Sequence, residues 1–161
     1  MTHCPGRRGL DSEGHEWRRD LDADLDRLVD LDASAVVTLI EDHEFSMLGV
    51  PDLARAAERR LSWFHIPITN MATPDGRAVA AWNSCSDFLL ARLRANERVV
   101  FHCAAGLGRT GTIVAKLLVD VYGLHGAEAL RRVREARPGT VESSAQEAFV
   151  LGPRVLGQGM S

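Results

Sequence analysis

Apolar positions along the chain follow two periods. At Ala35-Val36-Val37-Thr38-Leu39-Ile40, Trp63-Phe64-His65-Ile66-Pro67-Ile68 and Val99-Val100-Phe101-His102-Cys103 they form short dense runs, the pattern of strands buried on both faces. Between and after these runs the spacing is helical. Leu21, Leu25 and Leu28 mark a first helix, with its aspartates mostly on the other face. Pro51 suits the first turn of a second. Val79, Trp82, Phe88, Leu89 and Leu93 line a long one from about Arg77 to Ala95, and Thr112 to Val119 reads as a buried one ended by Gly123. Another runs from about Ala127 to Ala136 and stops before Pro138-Gly139, and Ser143-Ser144-Ala145-Gln146-Glu147 is the cap and first turn of the last. This order predicts a single α/β domain with a central, largely parallel sheet, helices on both faces and right-handed crossovers. Residues 1–16 show no periodicity and are expected to be a loose arm or short strand, with the domain over 17–155 and a tail over 156–161. Glu41-Asp42-His43-Glu44 is expected as a polar loop at a strand's C-terminal end, where open α/β sheets place binding residues.

The chemistry concentrates where the third strand meets its helix, in His102-Cys103-Ala104-Ala105-Gly106-Leu107-Gly108-Arg109-Thr110-Gly111. A thiol at a strand tip that faces a helix N-terminus lies where backbone N–H groups and the helix dipole favour negative charge. Cysteines so placed are held as reactive thiolates. The N–H groups of Ala104, Ala105, Gly106, Leu107 and Gly108 can cradle a phosphate. Arg109 comes round as the loop closes and offers a planar fork to two phosphate oxygens. Gly106-x-Gly108-x-x-Gly111 also matches a dinucleotide fingerprint. That motif opens a larger βαβαβ unit with an acidic residue about 20 positions on, and only some fifty residues follow here. A purely structural cysteine leaves Arg109 unexplained.

This Cys-x5-Arg loop closely resembles the signature of the cysteine-dependent protein tyrosine phosphatases. Beyond the loop the chain resembles their dual-specificity branch, in particular the cyclin-dependent-kinase-associated type and its bacterial relatives. Cys4-Pro5-Gly6-Arg7, Trp17-Arg18-Arg19-Asp20-Leu21, Val37 to Glu44, His65-Ile66-Pro67-Ile68, Arg137 to Glu142 and Gln146-Glu147 carry that likeness. The resemblance implies a phosphatase-like fold and hydrolysis of phosphotyrosine, with phosphoserine or phosphothreonine as a further class, through a phosphocysteine. It implies Cys103 as nucleophile, Arg109 as the phosphate and transition-state clamp, Thr110 as an aid to the departing thiolate and His102 as the residue that orients the loop. Gln146 would position the hydrolytic water. The family's general acid is normally an aspartate at the position Asn70 occupies, and an amide has no proton to give. Asp75, in the same loop, is the nearest carboxylate and the expected donor, with Asp42, Glu44 or solvent behind it. If none serves, the alternative is a phosphate-binding module with little turnover. The absence of lysines between Cys103 and Arg109 favours phosphoprotein or phosphopeptide substrates over phosphoinositides.

Composition narrows the setting. The 161 residues suit one domain, and a net charge of −3 gives no electrostatic reason to expect nucleic acid or a membrane surface as partner. Lys116 is the sole lysine beside many arginines and alanines, a bias of GC-rich bacterial genomes. No apolar run reaches transmembrane length, and Met1 to Arg8 lacks a signal-peptide core, so a cytoplasmic protein is expected. Three cysteines at irregular spacing are no disulfide framework. Cys85 is expected in the core, or as a redox partner of Cys103. His3, Cys4 and His15 match no zinc pattern, and neither metal nor cofactor is called for. Nothing in the pattern speaks to oligomeric state.

Overall fold

The computed structural model describes residues 1–156. Its first elements are β1 (Arg8–Leu10) and β2 (Glu16–Arg18), an antiparallel hairpin with Gly9 opposite Trp17. Asp11 builds the turn by accepting from the N–H groups of Glu13 and His15 and from Trp17 Nε1 at 2.9 Å, an aspartate's usual local bonding. Residues 1–16 are therefore not loose. Thr2 bridges His102 in parallel, and Cys4 is fully buried. Strands of three residues are too short to show a period, which is why the sequence pattern is silent there.

Next come α1 (Leu21–Asp30), capped by Asp20, and β3 (Ala33–Thr38). The expected polar loop after it is instead α2 (Asp42–Met47), where the Glu44 carboxylate accepts from the Glu41 N–H at 2.7 Å. It is followed by α3 (Leu53–Glu58), β4 (Ser62–His65), α4 (Gly76–Arg94) and β5 (Arg98–His102). The last elements are α5 (Gly108–Asp120), α6 (Gly126–Ala136) and α7 (Ser144–Leu151). The helix α5 starts four residues before the expected Thr112, so it takes in Arg109 and Thr110 despite the poor helix propensity of its glycines.

The strands order β4-β3-β5, all parallel, with Thr38 in register with both His65 and His102 at the C-terminal edge. Alternation sorts the faces. Val36 and Val100 pack with Leu25 and Leu28 of α1 and Ala56 and Ala57 of α3. Ala35, Val37 and Phe101 pack with Trp82 and Leu89 of α4 and Ile113 and Leu117 of α5. A further apolar layer joins α5, α6 and α7 through Ala115, Leu130, Val133 and Val150. The expected α/β layering holds, with helices on both faces of the parallel sheet.

A buried ion pair fixes the far end of α5. Lys116 is fully buried, 3.3 Å from Asp120, and its Nζ donates to the carbonyls of Gly152 at 2.9 Å and Pro153 at 2.7 Å. Asp120 Oδ2 accepts from the N–H groups of Val155 and Leu156, and Trp82 Nε1 donates to Leu156 O, each at 2.8 Å. Leu156, expected to begin a tail, thus belongs to the core, while 157–161 lie outside the described residues. Removing one member leaves an uncompensated charge, so Lys116→Met should lower unfolding free energy by about 3–5 kcal/mol. Adding Asp120→Leu should recover part of it; denaturant melts of the wild type and both variants measure this.

Candidate active site

The stretch from Cys103 to Leu107 wraps around the N-terminus of α5. Cys103 is almost fully buried, and the Gly106 N–H donates to its sulfur at 3.2 Å. Gly106 has φ +73°, and a Cβ there would collide with the Thr2 carbonyl, so the position takes only glycine without strain. Gly111 lets α5 approach the Thr140 side chain closely enough to exclude a Cβ. The Thr110 hydroxyl is buried with no hydrogen-bond partner among the described residues.

Arg109 lies behind the loop, 2% exposed. Its Nη1 donates to Glu44 Oε2 at 2.6 Å and Ile68 O at 3.0 Å, and Nη2 donates to Glu44 Oε1 at 2.9 Å. Those bonds use three of five N–H groups and leave the Nε–H and one Nη2–H on the other edge, a second fork for two phosphate oxygens. Burial alone would push the Glu44 carboxyl up, but Arg109 and the Glu41 N–H outweigh it and hold it below the usual carboxylate range. Sequence reasoning placed Glu44 only among reserve proton donors. Its carboxylate instead orients the clamp.

His102 is fully buried beneath the loop, with Nδ1 3.1 Å from Cys103 O and Nε2 2.7 Å from Thr38 Oγ1. A carbonyl only accepts, so Nδ1 carries the proton, Nε2 accepts from the Thr38 hydroxyl, and that hydroxyl in turn accepts from Trp63 Nε1 at 2.9 Å. Burial drives the imidazole pKa down to about 4, so the ring is neutral at physiological pH. A directed chain from Trp63 through Thr38 and His102 ends on the Cys103 carbonyl.

The expected proton donor is engaged in a helix cap. Asp75 is the N-cap of α4, where it accepts from the N–H groups of Arg77 and Ala78 at 3.0 Å and from Arg77 Nε at 3.1 Å. The Ala78 N–H and the Arg77 guanidinium hold its carboxyl below the usual range. Asn70 is exposed in the same loop, and Asp42 is exposed at the start of α2. Gln146 is fully buried beside Gly108. Its Oε1 accepts from Glu142 N at 2.9 Å and its Nε2 donates to Ala72 O at 3.3 Å, leaving one N–H uncommitted. Unanticipated from sequence is Glu142, whose Oε2 stands so close over Gly108 that a Cβ there would strike it. It is brought there by Val141, a β-branched residue with φ +62°, a conformation such residues rarely adopt. Cys85 bonds to Ala81 O and Trp82 O within α4, and burial pushes its thiol up to about 11. Cys4, whose N–H reaches Ala104 O at 3.1 Å, is the cysteine that adjoins the loop.

Residues 17–150 match the model of the Swiss Army Knife protein, DSP-PTPase phosphatase domain. The chain belongs to this family. This DSP-PTPase domain is 31% identical to Tk-PTP, solved in its active form, over 97% of this chain and 99% of that one, with a TM-score of 0.67. It shares its fold with a kinase associated phosphatase whose catalytic-site cysteine is replaced by serine, at 22% identity, a TM-score of 0.78, and coverage of 92% of this chain and 80% of that one. Dual specificity protein phosphatase CDC14C of Homo sapiens is 40% identical over 57 residues, 35% of this chain and 13% of that protein. Tyrosine-protein phosphatase cdc-14 of Caenorhabditis elegans is 49% identical over 52 residues, 32% of this chain and 7% of that one. The domain therefore spans a small part of those curated relatives.

The neutral, buried state of His102 has a cost in acid. Between pH 6.5 and about 4 the unfolded chain binds a proton that the folded chain refuses, so stability falls as pH drops through that window. The loss by pH 5 should be about 2 kcal/mol. His102→Gln should remove this part of the slope; urea melts of both proteins at pH 7.5 and 5 compare them, and equal slopes would clear His102 of the effect. Arg109→Lys keeps the charge but supplies a point donor instead of two forks. It should lower kcat/KM on an aryl phosphate at least 10²-fold, a drop of about 3 kcal/mol in transition-state stabilisation.

Proposed function

We propose that the protein is a phosphoprotein phosphatase that hydrolyses phosphotyrosine monoesters, with phosphoserine and phosphothreonine as further substrates, through a phosphocysteine. The observation that carries this reading is the shared loop: a shielded thiol that receives the Gly106 N–H at 3.2 Å, closed by an arginine with one fork free. In the first step the Cys103 thiolate attacks phosphorus, the S–P bond forms and the bond to the leaving oxygen breaks. The loop N–H groups from Ala104 to Gly108 and the free edge of Arg109 bind the phosphoryl oxygens, whose charge is stabilised by donors already in place. Water then attacks phosphorus, the S–P bond breaks, and inorganic phosphate leaves. The unpartnered Thr110 hydroxyl is free to donate to the departing thiolate, and the uncommitted N–H of Gln146, beside Gly108, is our assignment for holding the water.

The leaving oxygen needs a proton. With Asn70 at the usual position and Asp75 engaged as a helix cap, Glu142 takes that role in our reading, because its carboxyl overhangs Gly108 and is exposed to exchange protons with solvent. Free thiols at Cys4, Cys85 and Cys103 suit a reducing compartment, which supports a cytoplasmic location, and the single lysine beside many arginines and alanines supports a bacterial source. The second reading, a phosphate-binding module with little turnover, rests on Asn70.

Turnover of a phosphotyrosine peptide separates the two readings, since a binding module releases no phosphate. Cys103→Ser should abolish hydrolysis yet still bind inorganic phosphate, because the loop N–H groups and Arg109 remain; turnover near that of the wild type would end the phosphocysteine mechanism. Glu142→Gln should slow phosphotyrosine hydrolysis about 10²-fold or more and flatten the high-pH limb of its rate profile. It should slow an activated aryl phosphate much less, since that leaving group needs little protonation. An unchanged limb would assign the proton to another donor.

A further inference from the structure

We propose that Arg7 and Arg137 are positioning residues of the phosphate loop: they grip its outward carbonyls and so aim the N–H groups of the same peptide units at the thiol and the phosphate. The inference rests on the phosphatase reading above and deepens it. Neither arginine touches substrate; both act through the backbone.

The argument starts from peptide geometry. In a trans peptide unit the C=O and the N–H point in opposite directions. Arg137 Nη2 donates to Ala105 O at 3.0 Å, and on the other side of that same unit the Gly106 N–H donates to Cys103 Sγ at 3.2 Å. One peptide thus has a guanidinium on its outer end and the nucleophile on its inner end. The preceding unit repeats the arrangement. Ala104 O accepts from Arg7 Nη1 at 3.3 Å and from the Cys4 N–H at 3.1 Å, and its inner end is the Ala105 N–H. A flip of either unit would break these bonds and present a carbonyl oxygen to the phosphate dianion. The outer bonds therefore resist the one local motion that would invert the site's polarity. Because their donors are cationic, they also polarise the peptides in the sense that strengthens the inner N–H.

Both arginines are themselves held. Arg7 is 8% exposed, and its guanidinium lies 4.6 Å over the Trp17 ring, which the Asp11 carboxylate fixes through Nε1. Arg137 Nη2 also contacts His3 Nδ1 at 3.2 Å, and its Nε is buried without a hydrogen-bond partner among the described residues. The segment before β1 and the α6–α7 connection thereby bond the loop through its carbonyls. A groove of about 400 Å³ between them, lined by His3, Arg7, Trp17, Ala105, Leu107 and Arg137, gives the clamp room to be altered without filling the core.

The test uses the full chain with inorganic phosphate as the oxyanion probe and p-nitrophenyl phosphate as substrate. Arg137→Met should raise the phosphate Ki and the KM about tenfold, the worth of one charge-assisted hydrogen bond, and shift the Gly106 amide resonance in ¹⁵N-resolved spectra. Arg137→Lys, which keeps a cationic donor, should recover most of both. Arg7→Met should act in the same direction through Ala105. A merely structural role would lower Tm and leave Ki and the Gly106 resonance where they are. Ki and KM within twofold of wild type in folded Arg137→Met, with an unmoved Gly106 amide, overturns the proposal. If the methionine variant does not fold, Arg137→Gln decides by the same readouts. No hydrolysis by the wild type would instead sink the phosphatase reading, and phosphate binding would still report on the clamp.

Discussion

The paired fork between Glu44 and Arg109 is the contact on which the site depends. It ties the first helical turn after β3 to the first turn of α5, and with Ile68 O it draws in the chain leaving β4. Two charges removed from water are costly unless they are paired and further bonded, and here both are: the carboxylate also accepts from the Glu41 N–H, and the guanidinium also donates to the Ile68 carbonyl. The arrangement spends one edge of the arginine on the scaffold and keeps the other for an anion. Without Glu44, a buried guanidinium at the foot of the loop would lack both its counter-charge and its orientation.

Polar bonds converge on the same loop from below. The Trp63–Thr38–His102 chain reaches the Cys103 carbonyl, and its members come from three neighbouring strands: Thr38 and His102 pair at the C-terminal edge of the sheet, and Trp63 lies on β4 opposite Val36. The parallel register therefore has a direct chemical role. It sets Thr38 beside His102, with Trp63 reaching across from β4, under a cysteine that the strand itself delivers. Neutrality of His102 matters for this: a charged ring would have a proton on both nitrogens and could not accept from Thr38.

Much of this was legible in the sequence. The dense apolar runs gave the three parallel strands, and the Cys-x5-Arg spacing located the loop. What escaped detection had physical causes. The helix α2 is six residues long and opens on Glu41-Asp42-His43-Glu44, which carries no apolar period, so it read as loop. Glu44 lies 65 positions from Arg109, and only the fold brings the two together. That Asp75 caps α4 could not be read from its place in the loop, because a capping aspartate and an acid catalyst are the same letter. Glu142 reaches the loop through a left-handed turn at Val141, and a valine gives no sign of that conformation. Arginines such as Arg137 look like solvated surface until their carbonyl partners are seen.

The interior position of Lys116 has a consequence for how this domain can be handled and marked. It is the chain's one lysine, and its amine is sealed beneath the segment after α7 with two carbonyls and a carboxylate as neighbours. In the folded state, acylating reagents and enzymes that conjugate to lysine find no side-chain amine within reach. Any labelling of Lys116 would then count the moments when the C-terminal segment lifts away from α5.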